Sequence, residues 1–393
     1  MRSRRNFLKQ MSGAALAIGA APSVFTWALP QPQSDSIDMP GEDGLIVRSF
    51  RFVDLETPVE YFNTWLTPVS HFFVRNHMHE PSELNGNLAN NDWRLTVDGE
   101  VDKPLTLTFS ELSKLETHTV VNTLECAGNG RSLHRPQVPG IQWGKGAVGT
   151  ARFSGPRLQD VLQRAGIKPT GKHVMFRGLD EVPGKVPPFI RSIPIEKALD
   201  SDTLVATHMN GAPLTKHHGF PARALVPGWI GAASCKWLTK IKILDSEFVG
   251  NFMSPGYRFP NQPGKPGEAV KPEDTHPLTV LNVKSVISGP LDGASLKAGK
   301  VAVQGAAWAG ESNIVQVEVS TDGGLRWNRA SLGRDQARYA WRLWAYEWKA
   351  SSGDYIILSR ATDSEGRTQP ANPLWNPSGY LYNAVDQVKI HVA

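Results

Sequence analysis

The sequence predicts a mixed α+β region over residues 46–255 followed by an all-β, sandwich-like region over residues 278–393. Three observations carry this division. A chain of 393 residues exceeds one ordinary domain and is long enough for two. Between the regions, Pro255, Pro260, Pro263, Pro266, Pro272 and Pro277 alternate with Gly256, Gly264 and Gly267, a pattern that admits neither a long helix nor a central strand. Across that stretch the apolar periodicity changes from strands mixed with helices to strands alone.

In the first region, Trp93-Arg94-Leu95-Thr96-Val97 alternates as a half-buried strand does. Ser110-Glu111-Leu112 after Thr108 predicts a helix start, and Arg157 to Ala165 predicts a helix stopped by Gly166. Ala222 to Val226 is an apolar strand ended by Pro227-Gly228. Residues 256–277 are assigned as a linker whose first part is free to wrap back over a site. Beyond it, Val315 to Ser320 alternates apolar and polar, and Thr321-Asp322-Gly323-Gly324 predicts a hairpin turn. Val301–Trp308, Tyr339–Trp348 and Tyr355–Ala361 add short strands at sandwich-like spacing. No solenoid repeat and no low-complexity block interrupts the pattern.

The N-terminus reads as an address. Ser3-Arg4-Arg5-Asn6-Phe7-Leu8-Lys9 precedes an apolar stretch from Met11 to Ala21, diluted by Gly13 and Gly19, with a small residue at Ala28. A charged start and a short apolar middle predict an export signal over residues 1–30, not a membrane span. The paired arginines before Phe-Leu-Lys match a twin-arginine signal, so the expected location is the periplasm, reached in the folded state. Residues 31–45, rich in Pro, Gln, Ser and Asp, read as a tether. No other hydrophobic stretch is long enough to span a bilayer.

The formal charge of +5 invites a polyanion-binding reading, but Arg2, Arg4, Arg5 and Lys9 supply most of it. Without them 38 basic residues face 37 acidic ones. Nucleic-acid binding loses its main support. With 40% hydrophobic and 20% charged residues, the chain is neither disordered nor membranous in composition. Twelve tryptophans suit cores and pockets where the indole N–H finds a partner.

Two cysteines in an exported chain raise a disulfide first. Cys126, however, follows the strand-like Thr119-Val120-Val121-Asn122-Thr123-Leu124-Glu125 and opens an Ala-Gly-Asn-Gly turn, which presents its side chain where a backbone approaches something closely. A thiol nucleophile is a second reading, and Cys235 is equally readable as a small buried residue. A soft thiolate suits a soft or high-valent metal equally well. Cys-x-x-Cys, His-Glu-x-x-His and Cys-x-x-Cys-His are all absent from the sequence, so such a metal would need ligands from outside the protein. Phe73-Val74-Arg75-Asn76-His77, Lys216-His217-His218-Gly219-Phe220-Pro221-Ala222-Arg223 and Ser234-Cys235-Lys236 add three donor-rich segments. Each adjoins a strand-like run, and together they predict a pocket for phosphate or a sulfur oxyanion.

With Phe176-Arg177-Gly178-Leu179-Asp180, Asn210-Gly211 and the run from Val226 to Trp237, these motifs resemble the sulfite oxidase family of molybdenum-pterin enzymes over residues 65–393. The resemblance points toward its haem-free bacterial periplasmic sulfite dehydrogenases. It implies an α+β catalytic domain of sulfite oxidase type, an immunoglobulin-like sandwich that mediates homodimerisation, and molybdenum with molybdopterin as cofactor. It makes Cys126 the metal's protein ligand beside the pterin dithiolene. It places Phe73, Val74, Arg75, Asn76, His77, Asp180, His218, Arg223, Ser234, Cys235 and Lys236 around the cofactor. Arg75 would face the substrate anion, and Tyr257 matches the family's active-site tyrosine, although the residues around it diverge. The implied reaction is oxidation of sulfite to sulfate, with electrons passed singly to a separate c-type cytochrome. No haem domain is expected ahead of the catalytic region.

One departure is visible. Where the animal enzymes carry an anion-binding arginine in Asn-Leu-Arg-Gly, this chain has Asn376-Pro377-Ser378-Gly379. Either another arginine compensates, or the substrate differs. The departure keeps open dehydrogenation of protein-bound sulfane sulfur in a thiosulfate-oxidising complex. Sulfoxide reduction on the same cofactor is a further alternative, against which the C-terminal sandwich counts because the family's sulfoxide reductases lack it. A non-catalytic binding module is disfavoured by the intact Cys126 motif.

Overall fold

The computed structural model describes residues 44–82 and 92–393. The export signal at 1–30, and the tether at 31–45 apart from Gly44 and Leu45, lie outside them. Among the described residues no helix is long and apolar enough to cross a membrane.

The first region is built on two sheets. A five-stranded sheet runs in the order Leu105–Thr108, Arg94–Gly99, Leu238–Leu244, His173–Gly178, Ile190–Pro194. Its pairings are antiparallel except where Leu238–Leu244 lies parallel to Arg94–Gly99, with Lys240 opposite Thr96. The helix Leu158–Ala165 covers it, burying Leu158, Val161, Leu162 and Ala165. That i, i+3, i+4, i+7 spacing makes one apolar stripe, which packs with Leu95, Val97, Phe176, Ile241 and Ile243. Each such leucine contributes roughly 1.5–3 kcal/mol by leaving water. Gly166 ends the helix at φ 70°, as its position predicts. The expected start at Thr108 is a four-residue helix, Phe109–Leu112, closed by a capping box in which Thr108 and Glu111 bond each other's backbone N–H.

A four-stranded sheet follows in the order Ala212–Pro213, His208–Met209, Val148–Pro156, Thr117–Glu125. Thr117–Glu125 pairs with Val148–Pro156 along its whole length, from Thr117 opposite Pro156 to Glu125 opposite Val148. The pairing runs out at the residue before Cys126, which fixes where the thiol emerges.

The Pro/Gly-rich stretch is more ordered than a linker. Arg258–Pro260 and Thr275–Pro277 pair as a short antiparallel ladder, because those residues free of proline rings at the paired N–H positions can still meet across the loop. Beyond it come two sheets, one ordered Lys284–Gly289, Gly299–Trp308, Arg342–Ala350, Ser331–Leu332, the other Ser295–Leu296, Asp386–Val392, Gly353–Asp363, Ile314–Ser320, Asn328–Arg329. They share one apolar cluster including Val303, Val317, Val319, Ile357 and Val388. The turn expected at residues 321–324 extends to 327 before the chain pairs back, Val319 opposite Asn328. Asp322 accounts for the length, since its carboxylate accepts from the Ser320 hydroxyl and the Arg326 N–H and folds the turn on itself.

The two regions meet across Phe62, Ala127, Tyr257, Trp308 and Trp341. At the centre of this contact Lys284 Nζ lies 3.0 Å from Glu125 Oε1, and Trp308 Nε1 donates to Glu125 Oε2 at 2.8 Å. All three residues are buried.

Candidate active site

Cys126 sits where the strand Thr117–Glu125 gives way to a tight turn. Its N–H donates to Ala147 O and its carbonyl accepts from Asn129 N, both at 2.9 Å. The turn needs its glycines. A Cβ on Gly128 would come within 2.6 Å of the Arg131 guanidinium, and Gly130 adopts φ 91° with Tyr382 against it. Both cysteines are free. Burial pushes the Cys126 thiol up, with Arg75 and Arg131 pulling the other way. A bound cation would displace its proton.

The thiol faces a cavity that is partly open to solvent. Phe73, Arg75, Asn76, His77, Asp180, His218, Arg223, Ser234, Cys235, Lys236 and Tyr257 line it with Cys126. Of the residues singled out in the sequence, Val74 is the exception. It is buried, and its backbone pairs with Leu55, so it anchors the Phe73–His77 segment to the strand Asp54–Glu56 and does not line the cavity.

That pairing also explains Arg75. Asp54, fully buried, accepts from Arg75 Nη1 at 3.0 Å and from the Asn76 N–H at 3.1 Å. Against the cost of burial, Asp54, and less strongly Tyr257 and Cys126, hold the Arg75 guanidinium above its ordinary value. It is charged under all ordinary conditions. Nothing in Asp54-Leu55-Glu56 marks this aspartate in the sequence.

Beside Arg75, His77 Nε2 lies 2.5 Å from the Tyr257 hydroxyl, and the imidazole stacks on Phe189 with centroids 4.5 Å apart. Burial first, then Arg75, Lys236, Arg191 and Arg131, hold His77 far below its usual value. Burial also raises Tyr257. The pair is therefore neutral, a phenol and an imidazole sharing one hydrogen bond. Tyr257 adopts φ 54°, a conformation that non-glycine residues hold only when their surroundings impose it.

The opposite wall is made of donors. Arg223 donates to the carbonyls of His218 and Ser234 at 3.0 and 2.8 Å, while its Nε is buried without a partner. His218 Nδ1 lies 2.6 Å from Thr215 Oγ1, and its Nε2 is likewise buried and unpaired. Burial, then Lys236 and Arg223, lowers His218 to about 3, so it is neutral. Lys236 bonds Asn76 Oδ1 and the His217 carbonyl. Its burial, with the charge of Arg223, lowers it to about 7. Burial raises Asp180 to about 6 and Cys235 to about 12. Buried polar atoms normally find partners, so the unpaired nitrogens of Arg223 and His218 mark a wall shaped for a polar guest. Among the described residues no group of three or more His, Cys, Asp or Glu is arranged to hold a metal ion. A metal on Cys126 fits this site if it brings its remaining ligands with it.

Two further arginines stand close by. Arg131, the last residue of the Cys126 motif, donates from Nε to the Ser378 carbonyl at 2.9 Å and from Nη1 to Ile141 O. Position 378 thus offers this site a backbone oxygen that orients Arg131. Arg191 is buried on the strand Ile190–Pro194 with its guanidinium carbon 4.9 Å from the Tyr257 ring centroid. Arg131 was within reach of sequence reasoning through its motif; Arg191 carried no signal.

Comparison with known proteins gives a consistent picture. Residues 79–252 match the oxidoreductase molybdopterin-binding domain, and residues 275–393 match the Mo-co oxidoreductase dimerisation domain. The chain is 35% identical to mitochondrial sulfite oxidase of Homo sapiens, over 95% of this chain and 69% of that protein. It is 37% identical to sulfite oxidase of Gallus gallus, over 88% of this chain and 78% of that protein. Among solved structures, the sulfane dehydrogenase SoxCD from Paracoccus pantotrophus is similar with a TM-score of 0.76 and 27% identity, covering 98% of each chain.

Proposed function

Because the chain belongs to the sulfite oxidase family of molybdenum-pterin oxidoreductases, we propose that it oxidises sulfite to sulfate in the periplasm and passes the electrons singly to a c-type cytochrome. The observation that carries the reading is the convergence of Cys126, Arg75 and the Tyr257–His77 pair on one cavity. The bound molybdenum-pterin cofactor supplies the two-electron oxygen-atom transfer and the later one-electron steps. Cys126 is the residue to hold its metal. Asn76, Asp180, His218, Arg223, Ser234, Cys235 and Lys236 are the residues to hold its pterin, with the unpaired nitrogens of His218 and Arg223 as donors.

The protein's own part is electrostatic and positional. Arg75, kept charged by Asp54, holds the substrate's negative charge. Tyr257, fixed by its bond to His77, presents a neutral hydroxyl to an oxygen of the anion, which stabilises charge without taking up a second proton. Phe73 and Phe189, which line the same cavity, limit water around the reacting centre and so strengthen these interactions.

A second reading, dehydrogenation of a sulfane sulfur, draws support from the likeness to the SoxCD structure over 98% of both chains and from Ser378. Homodimerisation through residues 275–393 is supported by the matched dimerisation domain. The deciding measurement is molybdenum content together with sulfite-dependent reduction of cytochrome c, in the wild type and in Cys126→Ser. The expected result is one molybdenum per chain and turnover that collapses in the variant. Turnover surviving in Cys126→Ser would falsify the assignment, and molybdenum without sulfite activity would transfer it to the sulfane reading.

A further inference from the structure

Five cationic side chains surround or adjoin the cavity, and four have evident anchors. Arg75 pairs with Asp54, Lys236 bonds Asn76, Arg223 is held by two carbonyls, and Arg131 by two more. Arg191, which shares an unpaired Nε with Arg223, has fewer anchors than these, a single carbonyl among the described residues. It is 2% exposed, it donates from Nη1 to the Phe252 carbonyl, and its Nε is buried with no partner. Among the described residues no carboxylate lies within ion-pair distance of it.

A buried guanidinium without a counter-anion is strongly disfavoured, and burial does lower the affinity of Arg191 for its proton. The arrangement is sensible if a negative charge arrives during function. Arg191 is placed to meet one. Its guanidinium carbon is 4.9 Å from the ring centroid of Tyr257, whose ring stacks on Tyr380 at 5.4 Å and 9°. The guanidinium of Arg131 in turn lies 5.4 Å from the Tyr380 ring. Four planar groups thus form a contact chain, Arg131–Tyr380–Tyr257–Arg191, with a charge at each end and the hydroxyl-bearing ring of the cavity inside it. Arg191 does not line the cavity itself; Tyr257 does.

We propose that Arg191 is a positioning and affinity residue for the substrate oxyanion: packed on Tyr257, it fixes that ring and supplies from behind it a positive charge that Ser378 does not provide. The proposal rests on the reading that a sulfur oxyanion is the substrate. It does not require that sulfite be the one turned over.

The test uses the molybdenum-loaded protein and two ligands. Sulfate binding is measured by titration calorimetry, and the KM and kcat for sulfite are measured separately. Arg191→Gln keeps a donor for the Phe252 carbonyl and removes the charge. It should weaken sulfate binding and raise the KM for sulfite about ten-fold, with a smaller fall in kcat, the order expected of one unit charge about 12 Å away at an effective dielectric near 20. Arg191→Lys, which restores charge, should recover most of that loss. Tyr380→Leu removes the stack while leaving the charge, and should lower kcat more than sulfate affinity. Unchanged sulfate affinity in Arg191→Gln overturns the proposal, as does Arg191→Lys behaving like the glutamine variant. Should the wild type bind sulfate but fail to oxidise sulfite, the calorimetry still decides the role of Arg191, while the activity reading alone fails.

Discussion

The inside of the C-terminal region and its contact with the catalytic region are built on opposite plans. Inside, Val303, Val317, Val319, Ile357, Ala361 and Val388 fill the space between two sheets. Ser285 Oγ against Ser359 Oγ at 3.1 Å is one of the buried polar contacts of this region, beside Ser312 on Asp363 and the Ile287 N–H on Asp386. At the junction, Phe62, Trp308 and Trp341 pack with centroids 5.1 to 6.4 Å apart around the Lys284–Glu125 ion pair. An aliphatic interior is non-directional and stabilises in proportion to area. A satisfied polar network is directional and costly to disturb. The difference teaches where geometry is specified: the junction holds Glu125, and Glu125 is the residue before Cys126.

Lys284→Met is the sharpest way to break the comparison. It leaves Glu125 buried beside an apolar side chain, and removal of one partner of a buried pair costs about 3–5 kcal/mol. Denaturant unfolding should show that loss, and molybdenum content should fall with it because the Cys126 turn loses its anchor. Full metal retention would mean that the junction only adds stability, as the interior does. Ile357→Ala should cost about 2–5 kcal/mol through the cavity it leaves, yet leave kcat and KM for sulfite as in the wild type. A changed KM there would erase the distinction from the other side. Trp308→Phe keeps the packing and removes the indole bond to Glu125, a loss of about 1.5–3 kcal/mol for a hydrogen bond to a charged group, read in the same unfolding experiment.

The smallest effect concerns acid. His134, in the turn after Cys126 and in edge-to-face contact with Tyr382, is lowered to about 4 by burial and then by Arg131 and Lys284. The unfolded chain binds this proton near pH 6.5 and the folded chain only near 4, so stability falls as pH drops through that window. The melting temperature of His134→Gln should therefore decline less than that of the wild type between pH 6.5 and 4. The apolar cluster inside the C-terminal region contains no histidine or carboxylate and contributes nothing to this slope.

What was legible in the sequence followed from local chemistry. Alternation located Arg94–Gly99 and Ile314–Ser320 within a residue or two, and Gly166 marked the end of its helix. The Cys126 turn and the donor-rich segments announced a site because their residue types are unusual together. The parallel pairing of Arg94–Gly99 with Leu238–Leu244 was not legible, since both strands read alike whichever neighbour they take. Asp54, Arg191 and Lys284 were missed for a related reason. A single charge in a strand-like run looks like a solvent-facing residue, and only the fold shows that Asp54 lies under Arg75, that Arg191 lies under Tyr257, and that Lys284 lies under Glu125. Val74 stands within its motif yet outside the cavity lining, because an extended segment turns alternate side chains away.

The Lys284–Glu125 pair also sets an order of events during synthesis. The two residues are 159 positions apart, and a chain growing at about 5–20 residues per second emerges from its N-terminal end first. The carboxylate beside the thiol ligand therefore waits on the order of ten seconds or more before its lysine exists. Until then the turn around Cys126 has its glycines and its strand but lacks the clamp that sets its angle. If the turn needs that clamp to hold the cofactor, a chain cut short before Lys284 keeps its thiol but not its cofactor.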